Sequence, residues 1–471
     1  MVKLEAVYSL SPKPLQTLFI NLKALELYVE RYGRKFWRLF DEFEKHQWLS
    51  SAEIEEYQND RLQQLIHHAY DYVPYYHELL NIRGLKPSDI RSKNDLYKLP
   101  VLTKTDIKNN AARLVSTKYP KFLLRKGHTS GTTGSPLDFQ YDIRTCVVHH
   151  VADWRQKSWT GLKYGEKYAS LQGRVIVPIK QKLPPFWRHN YINNQLFLSS
   201  FHLTEKNLPY YFEKLANDDV KYIEGYPSTI FILASYLVAR GQTFPLHSVL
   251  TSSETLFDYQ RQAIERAFAC KVFDFYGMAE RVVFATECDR HLGHHLNMDY
   301  GITEFVDTRG NPTPPEELRR IVATSLHNFA MPFIRYETND AGALKMQSCS
   351  CKRVFPVMQD VTTKNESIVT LPDGRLISPS VLTHPFKPMH NIVESQIIQE
   401  TLDELVVKIV RNAEYSDKDE LTLLSAFRER LGDQIRIAVE YVDAIPRTAN
   451  GKLRWVVSKV PVKFSPNDDI G

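Results

Sequence analysis

Residues 129–136 form the strongest chemical signal in the sequence, a run of small hydroxyl residues and glycines that reads Thr-Ser-Gly-Thr-Thr-Gly-Ser-Pro. Its two glycines leave backbone N–H groups free to surround an anion, and its hydroxyl groups add further hydrogen-bond donors. No Gly-Lys-Ser or Gly-Lys-Thr follows, so the run is not a phosphate loop of the Walker type. The pattern indicates a loop that holds a phosphate, and an ordinary polar surface turn is the alternative.

A second group of residues could bind a metal ion. Cys288 is followed within seven residues by three histidines, and Cys349 is followed two residues later by Cys351. Three thiolates and one imidazole make a tetrahedral ligand set that suits zinc. Because four protein ligands leave no open position, such a zinc ion would be structural. Buried thiols with solvated histidines are the alternative.

The composition limits what this chain can be. Its 471 residues suggest two or three domains, and 43% of them are hydrophobic, enough for a substantial core. The chain has 60 Lys and Arg residues and 55 Asp and Glu residues, a net charge of +5. Spread over this length, that charge is too small to indicate a nucleic-acid-binding protein. No run approaches the ~18 apolar residues of a membrane helix, and the first residues lack a signal-peptide pattern. With only five cysteines, the sequence predicts a cytoplasmic protein.

Hydrophobic periodicity divides the chain into three parts. Residues 1–100 carry helical spacing, residues 101–363 alternate strands with helices, and residues 364–471 read as a small α+β domain. The sequence therefore predicts an α/β fold with a helical N-terminal region and a small C-terminal domain. The clearest individual elements are predicted strands at 174–178, 271–275, 404–410 and 435–441, and predicted helices at 228–239 and 420–431.

Three further blocks follow the hydroxyl-rich run in order. Residues 276–280 read Tyr-Gly-Met-Ala-Glu, residues 335–340 read Arg-Tyr-Glu-Thr-Asn-Asp, and residues 446–454 read Pro-Arg-Thr-Ala-Asn-Gly-Lys-Leu-Arg. Together with residues 129–136 they resemble the blocks of the adenylate-forming acyl ligases, the superfamily of acyl-CoA synthetases and luciferases. Within it, the chain is most similar to the phenylacetate-CoA ligase branch, with its CapK-like members of capsular-polysaccharide biosynthesis and coenzyme F390 synthetase.

The resemblance implies a fold and a set of residue roles. The fold would be that of an adenylate-forming ligase, with a large N-terminal α/β domain after a helical region and a small mobile C-terminal α+β lid domain. Lys452 would drive adenylation, Glu280 would hold Mg²⁺, and Thr132 is a further predicted catalytic residue. The Tyr276 ring would stack on adenine, and Asp340 would bind the ribose hydroxyls. The other predicted nucleotide contacts are Thr129, Ser130, Gly131, Thr133, Gly134, Ser253, Glu254, Gly277 and Met278.

The implied reaction is ATP-dependent activation of a carboxylic acid as an acyl-adenylate, followed by transfer to CoA or to an amine or hydroxyl acceptor. Adenylyl transfer that makes an AMP adduct, as in coenzyme F390 synthetase, is one alternative. A non-catalytic nucleotide-binding relative is the other. The acid is not identified, although Gly173, Tyr226, Pro227 and Ser252 lie in blocks that resemble the acyl pocket. A homodimer is left open.

The resemblance also bears on the cysteine group. Some similar proteins carry a metal ion in an equivalent place, which favours zinc over a set of buried thiols. By resemblance of spacing, His294 is preferred to His291 and His295 as the fourth ligand. The predicted zinc ligands are therefore Cys288, His294, Cys349 and Cys351.

Three positions depart from the family pattern. Leu137 stands after Pro136 where the family often has lysine, and Asn339 stands before Asp340 where the family usually has glycine. Asparagine tolerates a positive φ nearly as well as any non-glycine residue, so the second change is mild. Residues 362–367 offer no arginine at the place of the family's hinge arginine. This last departure favours the non-catalytic alternative, whereas the retained lysine and carboxylates of the other blocks argue against it.

Overall fold

The N-terminal part of the chain is helical, as its periodicity predicts. The structure is a computed structural model that describes residues 7–129, 137–307, 309–317, 319–359, 361, 368–377, 379–386, 388–446 and 454–460. Its first helices are α1 (Lys13–Arg31), α2 (Arg34–His46), α3 (Ser51–Tyr72) and α4 (Pro74–Ile82). A reciprocal cap begins α3, because Ser50 Oγ accepts the Glu53 N–H at 3.3 Å and the Glu53 carboxylate accepts the Ser50 N–H at 2.8 Å. Within the described residues, no helix combines the length and the apolar character needed to cross a membrane.

A nine-stranded sheet forms the centre of the α/β part. The strands of this part are β1 (Arg125–His128), β2 (Asp138–Tyr141), β3 (Tyr168–Leu171), β4 (Trp187–Asn190), β5 (Gln195–Leu198), β6 (Tyr222–Gly225), β7 (Ser248–Ser252), β8 (Lys271–Gly277), β9 (Phe284–Glu287), β10 (His294–Leu296), β11 (Gly301–Val306), β12 (Arg319–Ser325), β13 (Tyr336–Gly342) and β14 (Val357–Met358). Five strands of the nine-stranded sheet pair in parallel, in the order β5-β3-β6-β7-β8. At one edge β4 pairs antiparallel with β5, and at the other edge β9, β10 and β14 continue the sheet in antiparallel pairs.

Helices between the strands cover this sheet. They are α6 (Ile143–Trp159), α7 (Leu208–Asn217), α8 (Pro227–Val238) and α9 (Asp258–Phe268), whereas α5 (Lys104–Asn109) precedes β1 in the chain. Apolar side chains of the parallel strands, such as Ile223 and Val249, pack with those of the helices, such as Ile230 and Ile264, in one buried core. This burial supplies most of the driving force for the layered arrangement.

Two of the individual predictions for the middle part are confirmed and one is wrong. The predicted strand at 271–275 is β8, and the predicted helix at 228–239 is α8. Residues 174–178 form no strand, although their apolar run suggested one. The chain leaves the sheet after Leu171, and Arg174, Val175 and Ile176 line a cavity instead of pairing with a neighbouring strand.

Two smaller sheets carry the motif blocks. Strands β1 and β2 form an antiparallel hairpin, and β11, β12 and β13 form an antiparallel sheet. The two are joined by aromatic contacts, since the Phe333 ring lies 6.2 Å from the Phe139 ring of β2 and 5.2 Å from the Tyr336 ring of β13, measured between centroids. The hairpin that presents residues 129–136 is therefore packed against the segment that carries residues 335–340.

The last part of the chain forms an α+β unit. Its elements are β15 (Val369–Thr370), β16 (Leu376–Ile377), α10 (Pro379–Leu382), β17 (Ile392–Gln399), β18 (Glu404–Arg411), α11 (Asp417–Leu431), β19 (Arg436–Tyr441) and β20 (Val456–Ser458). The sheet order is β19-β18-β17-β20, and Phe386, Phe427 and Trp455 meet in its core. The predicted strands at 404–410 and 435–441 and the predicted helix at 420–431 are confirmed, and the domain boundaries at residues 100 and 363 stay predictions.

A buried ion pair ties the N-terminal helices to the α/β part. Arg155 of α6 donates from two nitrogens to the two carboxylate oxygens of Asp299, at 2.6 and 2.8 Å, and also donates to the Phe43 carbonyl of α2 at 2.8 Å. His46 Nδ1 lies 3.2 Å from the same carboxylate. Burial by itself raises the pKa of Asp299, but the Arg155 guanidinium and His46 lower it overall.

We expect the substitution Asp299→Ala to lower the free energy of unfolding by about 3–5 kcal/mol, because it leaves the Arg155 charge buried without its partner. Urea titration measures this loss, and a loss below about 1 kcal/mol would contradict the expectation. The matched control is Glu26→Ala, which breaks the exposed Lys23–Glu26 pair at a cost of less than about 1 kcal/mol. Because folding lowers the pKa of Asp299, its contribution is present above the unfolded pKa and is lost as the pH falls through the folded pKa.

Candidate nucleotide site and cysteine cluster

Tyr276 and Asp340 lie in direct contact, although 64 residues separate them in the sequence. The Tyr276 hydroxyl, near the end of β8, donates to Asp340 Oδ2 on β13 at 2.9 Å. Burial raises the pKa of Tyr276 well above its usual value, and the Asp340 charge raises it further, so the phenol stays protonated. Asn339 has a φ of +64°, a left-handed conformation that asparagine tolerates better than most non-glycine residues. The ring assigned to adenine and the carboxylate assigned to ribose are therefore brought together.

A second contact joins the same two segments. The Tyr336 hydroxyl donates to Glu280 Oε1 at 2.7 Å, and both side chains are buried. Burial and the neighbouring Glu280 charge raise the pKa of Tyr336. Gly277 is the last residue of β8, and Met278 packs against the apolar cluster that contains Tyr336. This arrangement holds the predicted magnesium carboxylate in one orientation, and its binding of Mg²⁺ stays a prediction.

Thr129 closes the base of the predicted phosphate loop. Its buried Oγ1 accepts the Leu137 N–H at 3.0 Å, and its own N–H donates to the Leu137 carbonyl at 3.1 Å. The Arg281 guanidinium lies 3.9 Å from the centroid of the Tyr141 ring, which ties the hairpin to the block at 276–280. The remaining predicted residues of the loop, and the predicted catalytic lysine, lie outside the described residues: Ser130, Gly131, Thr132, Thr133, Gly134 and Lys452.

Ser253 and Glu254 lie in the turn that follows β7. Ser253 has a φ of +72°, a conformation that is unusual for a residue other than glycine. Glu254 Oε2 accepts the Ser228 N–H at 3.0 Å in the first turn of α8. A carboxylate in this position satisfies one of the N–H groups that a helix leaves unpaired at its beginning. The turn is thereby fixed beside the carboxyl ends of β6 and β7.

A cavity of about 490 Å³ opens beside these strand ends. Ser252, predicted to lie near the acyl pocket, lines it, as do Gln156 and Lys157 of α6. The motif blocks gave no indication of these helical residues. The sequence did carry a signal for them, because Arg155, Gln156 and Lys157 stand on a helix, α6, whose remaining pattern predicts burial. All three side chains are buried in the structure. Charged and amide residues on such a helix indicate an internal polar site.

Three cysteines and one histidine converge at the antiparallel edge of the large sheet. Cys288, His295, Cys349 and Cys351 each offer a ligand atom, and these atoms all lie within 4.8 Å of one another. The Sγ atoms of Cys288 and Cys349 are 3.6 Å apart, and Cys351 Sγ lies 3.4 Å from His295 Nε2. A tetrahedral zinc ion, with bonds of about 2.3 Å to sulfur and about 2.0 Å to nitrogen, needs separations of about 3.5–3.8 Å between its ligands. The donor set and its spacing fit zinc.

The structure places His295 beside the cysteines instead of the predicted His294, and the reason is the pleat of β10. Successive side chains of a strand point to opposite faces, so only one of two adjacent histidines can face the cysteines. His294 Nε2 lies 3.1 Å from Asp274 Oδ2, whereas His295 Nε2 faces the thiols. His295 Nδ1 donates to the Phe355 carbonyl at 2.7 Å, which leaves Nε2 unprotonated and available to a metal ion.

Comparisons with known proteins support the resemblance that the four blocks indicate. Residues 369–459 match the family model described as the CapK C-terminal domain. The chain is 26% identical over 466 residues to Protein CapK of Staphylococcus aureus, a match that covers 97% of this chain and 100% of that protein. It is 24% identical over 433 residues to a phenylacetate-coenzyme A ligase of Thermus thermophilus, with coverage of 85% and 95%. The predicted resemblance to these two groups is confirmed.

Solved structures give the fold. 2-Hydroxyisobutyryl-CoA ligase in its postadenylation state superimposes with a TM-score of 0.55 at 19% identity, over 88% of this chain and 91% of that one. The same ligase in its thioesterification state, in complex with an acyl-AMP and CoA, gives a TM-score of 0.56 at 20% identity over the same shares. The predicted fold class is thereby confirmed.

Proposed function

We propose that this chain, which has the fold of an adenylate-forming CoA ligase, activates a carboxylic acid with Mg·ATP and transfers the acyl group to CoA. The observation that carries the proposal is the contact between Tyr276 and Asp340, which pairs an adenine-sized aromatic face with a ribose-binding carboxylate. Tyr276 packs against the same apolar cluster as Leu137, whose N–H donates to Thr129 at the base of the hydroxyl-rich loop. The similarity to phenylacetate-coenzyme A ligases over most of the chain supports the same reaction class.

Each residue has a defined task in the proposed reaction. A carboxylate oxygen of the acid attacks the α-phosphorus of ATP, the bond to the β-phosphate oxygen breaks, and pyrophosphate leaves. Donors of residues 129–136 surround the phosphates, and Lys452 supplies positive charge between the two anions. The thiolate of CoA then attacks the acyl carbonyl, and AMP leaves. Mg²⁺, for which the Glu280 carboxylate is the suitable oxygen ligand, would neutralise phosphate charge.

We further propose a structural zinc ion held by Cys288, His295, Cys349 and Cys351. The three thiolates and the imidazole would fill its coordination, so the ion would take no part in the reaction. It would fasten β9 and β10 to the segment that precedes β14. A role in polysaccharide biosynthesis, a cytoplasmic location and a homodimer stay predictions.

The test is acid-dependent exchange of pyrophosphate into ATP by the purified full chain with Mg²⁺, using separate pools of aryl, alkyl, amino and hydroxylated acids. We expect exchange with one pool, because adenylation is reversible, and thioester formation when CoA is added with that acid. Exchange that proceeds without any carboxylic acid, with AMP appearing on a hydroxyl or phosphate acceptor, would replace the proposal by adenylyl transfer. An absence of exchange with every pool, in a protein that binds ATP, would favour a non-catalytic relative.

A further inference from the structure

The cavity of about 490 Å³ adjoins the proposed nucleotide site. Phe275, next to Tyr276 on β8, lines it, and so do Gly225 at the end of β6 and Ser253 after β7. Ligands of open parallel sheets bind outside the carboxyl ends of the strands, and this volume is within the ~300–1000 Å³ range of small-molecule sites. The cavity is therefore placed to hold the part of the acid that lies beyond its reacting carboxylate.

Polar and apolar side chains both line this cavity, and five of the polar ones lie on α6. Helix α6 contributes His149, His150, Asp153, Gln156 and Lys157, which lie on the wall that faces the strand ends. Pockets for aryl or alkyl groups are lined mainly by apolar side chains with a few polar groups. Here polar groups form a large part of the lining, beside apolar side chains of α1 and of the strands. An aromatic or aliphatic acyl group would remove these groups from water without replacing their hydrogen bonds.

One lysine on this wall pairs with two carboxylates, which leaves an excess of one negative charge. Lys157 Nζ lies 3.0 Å from Asp153 Oδ2 and 2.9 Å from Glu224 Oε2, and Glu224 Oε1 accepts the Ser170 hydroxyl at 2.6 Å. Burial by itself lowers the pKa of Lys157, but the two carboxylates hold it well above its usual value, so the lysine stays charged. Both carboxylates already contact Lys157, so the ammonium group of an amino acid would have to compete with this buried cation for either of them.

Two side chains on the wall retain unused hydrogen-bonding capacity. Gln156 is 1% exposed, and neither Oε1 nor Nε2 has a hydrogen-bond partner within the described part of the chain. His150 Nδ1 is also buried and has no hydrogen-bond partner within the described residues. An amide both donates and accepts, which matches a hydroxyl group, since a hydroxyl does the same. Burial, with the nearby charges of Arg281 and Arg31, lowers the pKa of His149 to about 3, so this imidazole is a neutral hydrogen-bonding group.

The lining of the cavity also contains cationic side chains. Arg31 at the end of α1 and Arg174 line it, together with Lys23. These charges favour an acid over a cation and oppose the entry of a substrate that carries an ammonium group. The cavity thus combines hydrogen-bonding groups and a lysine–carboxylate cluster with the positive charges of Arg31, Arg174 and Lys23.

From this geometry we propose that the cavity is the acyl pocket and that its substrate is a hydroxyl-rich carboxylic acid, such as a sugar acid, rather than an aryl, alkyl or amino acid. Gln156 and His150 bind its hydroxyl groups. This inference rests on the proposed ligase function, since it names the substrate class of the same site.

The test compares kcat/KM in pyrophosphate exchange for D-gluconate and D-glucuronate with that for phenylacetate, hexanoate and alanine. We expect a hydroxylated acid to exceed each of the other three at least tenfold, because a site built to hydrogen-bond a hydroxyl rejects substrates that lack it. A preference for phenylacetate, hexanoate or alanine would overturn the inference and leave the ligase function standing. No exchange with any acid would overturn both.

Two variants test the assigned residues. Gln156→Leu, which keeps the approximate size of the side chain, should raise KM for the hydroxylated acid about tenfold or more and leave KM for ATP unchanged. His150→Phe should have the same selective effect, and it serves if the first variant does not fold. Gln63→Leu on α3, outside the cavity lining, is the matched control and should change neither constant. Equal changes of both KM values in the cavity variants, or no change in either, would contradict the assignment.

Discussion

Replacing Lys452 with alanine should lower acid-dependent pyrophosphate exchange at least ~100-fold, with little change in the binding of ATP. The physical reason is charge. The carboxylate of the acid and the α-phosphate are both anions, and they approach each other only if a cation lies between them in the transition state. Lys452 is the lysine of the block at 446–454, which resembles the family block that supplies this charge.

Hydrogen bonds hold the last residue of this block and the residue after it, so the substitution should not unfold the C-terminal unit. Gln396 Nε2 donates to the Arg454 carbonyl at 2.7 Å, and the buried Trp455 donates from its indole nitrogen to Ser395 at 2.9 Å. The matched control is Lys459→Ala, since Lys459 is an exposed lysine of the same unit paired with Glu400. The control should keep the full exchange rate. A Lys452→Ala protein that retained more than about a third of that rate would contradict the role of the lysine, since the expected loss is at least ~100-fold.

Replacing Cys349 with alanine should remove one zinc ion per chain and destabilise the protein by about 3 kcal/mol or more. Unlike a zinc finger, this region has its own apolar core around Phe355 and Val357, so the loss should fall below the ~10–16 kcal/mol of zinc-finger peptides. A loss of that size lowers the midpoint of thermal unfolding by about 6–12 °C in a domain of some 250 residues. Elemental analysis and thermal scans of the same samples measure the two effects.

The chain offers matched controls for the zinc prediction. Cys270 lies outside the cluster, so Cys270→Ala should keep both the metal and the midpoint of unfolding. His295→Gln should lose the metal, whereas His294→Gln should keep it, because His294 faces Asp274. Zinc retained in the His295→Gln protein and lost from the His294→Gln protein would reverse the ligand assignment. A protein purified without zinc, and unable to take it up, would refute the site.

Much of the fold, and the candidate residues of the proposed nucleotide site, could be predicted because the relevant signals are local. The apolar spacing of residues 228–239 and 271–275 specifies a helix and a strand, and both form as expected. The blocks around Thr129, Tyr276 and Asp340 are short segments, and the types of a few neighbouring residues are enough to indicate the group that each could bind. The asparagine at position 339 is a further case, because its tolerance of a positive φ is a property of the residue type, and the structure has it at +64°.

Other features depended on contacts between distant residues. The choice between His294 and His295 follows from the register of β10 against β9 and β14, which decides the face that each side chain takes. Residues 174–178 carry an apolar run that would suit a strand, but they find no neighbouring strand with which to pair.

The sequence by itself determined the order of the chemical blocks, the layered α/β character and the presence of a cysteine and histidine group. Only the tertiary structure decided which histidine faces the thiols and which side chains line the proposed substrate cavity. Its walls come from α1, α6 and the ends of β6, β7 and β8, which are far apart in the chain. Local sequence sets backbone conformation within a few residues, whereas the chemistry of a cavity is the sum of side chains that meet only when the layers pack.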